Sequence, residues 1–238
     1  MTFRITNPVC KVCGKTFPNH SALGGHSNIH RREEVALTHI QEQIILGSLL
    51  GDMWIFISGM KNHPDRNPQF GVKHSSKQRE YIMWKYKVLE DVSRREPTEF
   101  DGSGFGAGTR MLQFDSKCLP CLRPIYDVTR TKGVDKYVSD EWLSKINHPI
   151  AIAVWFMDDG CKDNTTSSFA LGNRTDDECD RLVLFAREWN LENPRIFHRK
   201  DGQRYLHVRS ESLKKLIDPY VIPSMRYKVD GGGRPKCS

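Results

Sequence analysis

Two short apolar segments dominate the hydrophobic pattern of the chain: residues 45–53, ILGSLLGDM, and residues 152–160, IAVWFMDDG. Each carries an aspartate at its eighth position, Asp52 in the first and Asp159 in the second. Runs that are apolar on every side predict buried helices, and an ionised carboxylate closing a buried helix is costly unless a cation or polar group meets it. Either run alone is most simply a core helix ending in a solvated acid. The recurrence argues for more. Gly47 and Gly51 stand four residues apart on one helix face, where glycine costs about 1 kcal/mol relative to alanine and permits another backbone to approach closely. With the second segment as that partner, Asp52 and Asp159 meet at the carbonyl ends of two helices, which are themselves partly negative. The pattern therefore predicts a paired-acid centre that needs divalent metal.

The remaining pattern repeats around these two segments. Residues 54–61 and 69–74 read as strands, and 77–91 as an amphipathic helix with Tyr81, Trp84 and Val88 on one face. In the second half, residues 167–171 read as a strand, and Thr175 with Glu178 forms a capping-box pattern before a helix carrying Leu182, Phe185 and Trp189. Each half reads as helix, strands, helix, strands, helix. The class is α+β, and the repeat is architectural rather than literal.

Alternation within the strands gives half-wet sheets. Gln203, Tyr205, His207 and Arg209 share one face while Leu206 and Val208 share the other, and Gln69, Gly71 and Lys73 oppose Phe70 and Val72. A solvated sheet face explains the alternation but not its wealth of Arg, Lys, Gln and His. The chain has 36 Lys and Arg against 29 Asp and Glu, a net charge of +7, which favours a nucleic-acid partner. Residues 44–60 are shorter than the roughly 20 needed to span a bilayer and are interrupted by Asp52, so no membrane role is expected. Basic residues and histidines break up the first forty positions, which leaves no signal peptide and predicts a soluble, intracellular protein.

The N-terminal region follows a different rule. Cys10-x2-Cys13-x12-His26-x3-His30, with Phe17 and Leu23 at core positions, matches the two-Cys, two-His zinc-finger pattern in full. About thirty residues scarcely fold without such a metal. Of the positions that normally face bases, Asn19, Ala22 and Gly25, only Asn19 offers a useful hydrogen-bonding side chain. Backbone phosphate contacts from Lys11, Lys15, His20, Arg31 and Arg32 are expected instead, and a structural or protein-binding finger is the alternative. Cys118 and Cys121 form a CxxC without a matching second pair, which gives no case for a second zinc.

The two apolar segments resemble the signature motifs of single-chain LAGLIDADG homing endonucleases, in particular the branch whose second motif reads WFMDDG, here residues 155–160. Residues 136–149 and 219–228 (PYVIPSMRYK) resemble that branch's flanking segments. Met53 and Met157 depart from the usual residues without touching the metal-bearing positions. The resemblance implies a pseudo-symmetric, duplicated αββαββα fold whose antiparallel sheets form a DNA-binding saddle, here preceded by a small ββα finger. The expected domains are the finger at 1–31, a linker at 32–38, the two halves at 39–145 and 146–230, and a flexible tail at 231–238.

It also implies magnesium held by Asp52 and Asp159 with the carbonyls of Gly51 and Asp158, and lysines beside the scissile phosphates, Lys136 and Lys228. Gln69, Lys73, Arg110, Arg174, Gln203, Tyr205, His207 and Arg209 are expected on DNA, together with Asn19 and Arg31 of the finger. The implied activity is that of a monomer cutting both strands of a long, asymmetric duplex with 3′ overhangs, in the service of a mobile intron or similar element. An RNA-binding intron maturase, with intron RNA as partner, and a non-cleaving DNA-binding regulator are the alternatives.

Overall fold

The computed structural model describes residues 7–33, 35–60, 66–102, 107–130 and 136–231, and side chains from 28 to 33 lie outside that description. Helix α1 (His20–Glu33) precedes two helices that set the rest of the molecule, α2 (His39–Leu50) and α6 (Pro149–Asp159). Thr38 caps α2, its hydroxyl accepting the Gln41 N–H while the Gln41 side chain accepts the Thr38 N–H. Pro149 opens α6 in the first turn, where a missing N–H costs nothing, and the His148 imidazole accepts the Ile150 N–H. Both helices are buried almost all round, as their composition requires, because each has the other on one side and a sheet beneath.

The contact between them is backbone to backbone. A Cβ added at Gly47 would lie 2.1 Å from the carbonyl oxygen of Ala151, so no residue larger than glycine fits without separating the helices. Gly51, one turn on, is equally constrained, since a Cβ there would come within 2.5 Å of the Asp158 Cβ. Gln43 ties the opposite ends together by donating to the Lys145 carbonyl and accepting the N–H groups of Asn147 and His148.

Each long helix leads into the same series of elements. After α2 come β1 (Trp54–Phe56), β2 (Gln69–Ser75), α3 (Arg79–Val88), β3 (Thr98–Asp101), β4 (Arg110–Asp115) and α4 (Arg123–Thr129). After α6 come β5 (Gly160–Asp163), β6 (Thr166–Gly172), α7 (Asp176–Glu188), β7 (Arg195–His198), β8 (Arg204–Arg209) and α8 (Ser210–Ile217). The two four-stranded sheets have the corresponding orders β1-β2-β4-β3 and β5-β6-β8-β7, with every pairing antiparallel. This is the duplicated αββαββα plan. Short α5 (Asp140–Lys145) feeds α6, α9 (Arg226–Asp230) lies against β5, and one apolar core runs through both halves.

Several expected boundaries move for local reasons. The strand expected at 54–61 ends at Phe56, because the chain turns at Ser58 and Gly59, whose φ of 69° belongs to the left-handed region; Lys61 lies outside the described residues. In α3 the buried face is Tyr81, Ile82 and Lys85, while Trp84 and Val88, expected to share the face with Tyr81, are only half-buried. The capping box of Thr175 and Glu178 starts α7, and the Glu178 carboxylate also accepts the Val138 N–H. Helix α1 continues to Glu33, beyond the finger boundary expected at residue 31.

The helix contact makes Gly47→Ala a direct test of the packing. The added methyl should lower stability by about 1–3 kcal/mol, read as an earlier urea midpoint with unchanged slope. A midpoint unaltered by the substitution would show that the two helices do not meet at Gly47.

Candidate active site

The parallel ends of α2 and α6 bring four of the expected residues together. Gly51 caps α2 and Asp52 follows it, while Asp159 is the last residue of α6 and Gly160 caps it. The Lys136 ammonium donates to the Gly51 carbonyl, and the Lys228 ammonium donates at 2.6 Å to the carbonyls of Met157 and Asp158. In both halves a lysine thus sits on the carbonyl of the residue before the acid. That correspondence pairs Gly51 with Asp158 and Asp52 with Asp159. Carbonyls at a helix end lack intrahelical donors, which is why cations collect there.

Burial raises the carboxyl pKa of Asp52 to about 6, with a further push from the charge on Asp158. Asp159 is raised to about 7 by burial, then by Asp52 and Asp158. Burial also lowers Lys136, to about 8, with Arg174 adding to the effect, and lowers Lys228. Each acid is held short of compensating positive charge. The carboxylates of Asp52 and Asp159 and the carbonyls of Gly51 and Asp158 are oxygen donors, the kind that hard divalent cations take.

Asp158 has a different setting from its neighbour. Its carboxylate is fully buried and accepts from the Lys85 ammonium at 2.7 and 2.9 Å, from the Tyr81 hydroxyl at 2.8 Å and from the Asp52 N–H at 3.4 Å. Burial alone would raise its pKa, but Lys85, His74 and these hydrogen bonds together lower it. His74 stands between two acids, its Nε2 3.7 Å from Asp158 and its Nδ1 3.4 Å from Asp52. Burial and the Lys85 charge depress its pKa to about 3, so the imidazole is neutral. Asp52, His74 and Asp158 lie close enough to share a metal. Lys85 already occupies both Asp158 oxygens, however, and an ammonium there opposes a cation.

Lys85 and His74 are not singled out by the sequence, which places Tyr81 only on the apolar face of its helix. The available signal was Lys85 itself, four residues after Tyr81 and therefore on the same helix face. Arg174 requires a correction. Expected on DNA, it turns inward, its guanidinium donating to the Lys136 carbonyl, to the Leu50 carbonyl at 3.3 Å and to Glu178 at 3.4 Å. It braces the end of α2, where unsatisfied carbonyls attract it.

The other expected DNA contacts divide by face. Tyr205, His207 and Arg209 lie on the wet face of β8 with Gln203 just before it, and Leu206 and Val208 are buried behind them. Phe197, exposed on β7 opposite Tyr205, stacks on His207 with ring centroids 4.7 Å apart. In the first half Lys73 is exposed, Gln69 is half-buried beside Cys118, and Arg110 is paired with Glu99 and Asp101.

In the N-terminal segment, Cys10, Cys13 and His26 converge, with Cys13 Sγ 3.1 Å from His26 Nε2. An antiparallel bridge joins Val9 and Thr16, and the Phe17 ring packs 4.5 Å from His26. The Cys13 backbone N–H is the main influence holding the Cys10 thiol down at about 6. The side chains of His30 and Arg31 lie outside the described residues. Asn19 also requires a correction: its Oδ1 accepts the Ala22 N–H at 2.8 Å, so it caps α1 and only its amide remains free for a base. Among the described residues no metal-ligand group includes Cys118 or Cys121, and no helix is long and apolar enough to cross a membrane.

The model of the LAGLIDADG DNA endonuclease family matches residues 42–216. The RecA protein of Mycolicibacterium chitae is 28% identical over 213 residues, covering 81% of this chain and 47% of that protein, so the chain spans about half the length of this relative. The DNA endonuclease I-ChuI of Chlamydomonas applanata is 24% identical over 219 residues, covering 84% of this chain and 99% of that one. Among solved structures, the homing endonuclease I-WcaI bound to its DNA recognition sequence superposes with a TM-score of 0.73 at 19% identity, covering 90% of this chain and 94% of that chain, a likeness of fold.

Proposed function

The chain belongs to the LAGLIDADG DNA endonuclease family, and from that premise we propose that it is a site-specific homing endonuclease that hydrolyses both strands of a long duplex. The observation that carries this reading is the pair of acids, Asp52 and Asp159, at adjoining helix ends, each preceded by a carbonyl that bears a lysine. One acid from each half gives each strand its own centre. The cut ends would be staggered, with 3′ overhangs, and the gene would promote the mobility of an intron or similar element.

Magnesium would be held by Asp52, Asp159 and the carbonyls of Gly51 and Asp158. When bound, it supplies an activated water and stabilises negative charge on the phosphate and the leaving oxygen. Lys136 and Lys228, already charged groups at the carbonyls, would turn toward the scissile phosphates and hold them in place. The two sheets would lie on the duplex. Because Gln69 and Lys73 face it from one half, and Gln203, Tyr205, His207 and Arg209 from the other, the target would be asymmetric. Arg110, released from its exposed acid partners, would contact phosphate. The protein would act as a monomer, since one chain carries both halves.

In the finger, zinc would be held by Cys10, Cys13, His26 and His30, and would fold the segment onto the enzyme as an extension of the DNA footprint. Arg31, Lys11 and Lys15 would reach the phosphate backbone, with Asn19 contributing through its amide alone.

A cleavage selection on long duplexes that include native flanking DNA, with magnesium or with EDTA, tests the reading. Discrete double-strand cuts only with magnesium are expected. Asp52→Asn and Asp159→Asn should each lower cutting by roughly 100-fold or more while leaving DNA binding largely intact. Retained cutting would move the centre elsewhere, and binding without any cut would favour the maturase, whose partner is intron RNA. For the finger, cobalt in place of zinc should give a tetrahedral thiolate spectrum that Cys10→Ser alters. An unaltered spectrum would remove Cys10 from the metal.

A further inference from the structure

The two centres resemble each other in their lysines and differ in what stands behind their acids. Asp158 belongs to the second half, but every side chain holding its carboxylate, Lys85, Tyr81 and His74, belongs to the first. The reverse contact has no counterpart, because the residue matching Asp158 is Gly51, and a side chain there would collide with Asp158 itself. The strand registers extend the difference. Trp54 pairs with Gly71 and Cys161 pairs with Ser168, so counting along β2 and β6 reaches Leu171, a buried residue at a register shift between Ala170 and Gly172, at the place nearest to that of His74. The Asp52 centre therefore has a buried polar backing, and the Asp159 centre has an aliphatic side chain at the nearest strand position.

The contacts within the cluster also orient His74. Lys85 Nζ approaches both Asp158 oxygens and His74 Nε2, the last at 3.4 Å, so its three protons have three acceptors. With Nε2 facing the Lys85 ammonium as an acceptor, Nδ1 is the ring nitrogen turned to the Asp52 carboxylate, at 3.4 Å. Asp158 holds the same turn from the backbone side through the Asp52 N–H. Asp52 is thereby restrained at both its main chain and its carboxylate by groups that never reach solvent.

We propose that His74, oriented by Lys85 and Asp158, is a positioning residue for Asp52, and that this one-sided backing makes the two strand cuts unequal in their dependence on it. The inference rests on the endonuclease reading, and wild-type protein in the same assay separates the two: failure of the wild type to cut either strand would count against that reading, not against His74. A carboxylate held in one rotamer presents the same oxygen to a cation on every encounter, whereas an unheld one must be ordered at the cost of side-chain entropy.

His74→Leu gives this place a buried aliphatic side chain, as Leu171 gives the nearest place in the other half. In single-turnover cutting of a duplex labelled on both strands, it should slow one strand by roughly 10- to 100-fold more than the other, so that nicked DNA accumulates. His74→Asn, whose amide nitrogen falls where Nδ1 stands, should restore most of the lost rate. Terbium titration followed by luminescence, without any cleavage, should show one class of sites weakened about tenfold in His74→Leu and regained in His74→Asn. Equal slowing of both strands, no slowing, or an asparagine variant no better than leucine would overturn the proposal. Should the leucine variant not fold, the asparagine variant and His74→Gln, which carries its nitrogen at the Nε2 position instead, make the same comparison: asparagine must exceed glutamine on one strand, and equality refutes the assignment.

Discussion

The approach of α2 to α6 at Gly47 and Ala151 governs where every charged group of the site is found. Two helices that touch through backbone atoms have their ends fixed to within a fraction of an ångström, because no intervening side chain can repack to take up a shift. The carbonyl ends of both helices then open at the same place. Acids that follow such ends are forced into proximity with each other and with partly negative carbonyls, an arrangement that is unfavourable until positive charge arrives. Lys136 and Lys228 supply part of that charge. The raised carboxyl pKa values of Asp52 and Asp159 record the part that is missing.

Asp158 shows how the same interface tolerates a charge that no cation from solvent can reach. Removing one partner of a buried ion pair typically costs about 3–5 kcal/mol, since the other charge is left without compensation. Lys85 cannot be replaced singly for that reason, and Gly51 cannot accept a side chain because Asp158 fills the space. Arg174 adds a second cross-half brace, from the second half onto the Leu50 and Lys136 carbonyls. The first centre is consequently tied to the other half through both an acid and a base. A pseudo-symmetric fold has acquired an asymmetric interior, in keeping with one that meets two different half-sites.

What was legible from sequence was whatever depends on nearby residues. The two apolar runs, the glycines four apart, the capping box at Thr175 and the alternation in β8 are local patterns, and they are enough for the duplicated fold and for the close approach of α2 to α6. Lys85 was not legible as a buried residue, because its reason for burial lies 73 positions away in Asp158. Arg174 looked like any surface arginine for a similar reason: only the assembled end of α2 offers the carbonyls that turn it inward. Asn19 was assigned to base recognition by its place in a motif, while the first turn of α1 has a more immediate use for its carbonyl oxygen. The family resemblance supplies Lys136 and Lys228, which no periodicity gives, and their carbonyl partners come from the assembled fold.

On the proposed reading, the helix contact sets Asp52 and Asp159 where each can hold metal, and leaves the Asp158 carboxylate to Lys85. Anomalous diffraction at the manganese edge, from crystals of the protein with its DNA, locates the ions directly. Manganese bound by the carboxylates of Asp52 and Asp159, with the Lys85–Asp158 pair intact, is the expected result. Manganese on His74 and the Asp158 carboxylate, with Lys85 displaced, would contradict it.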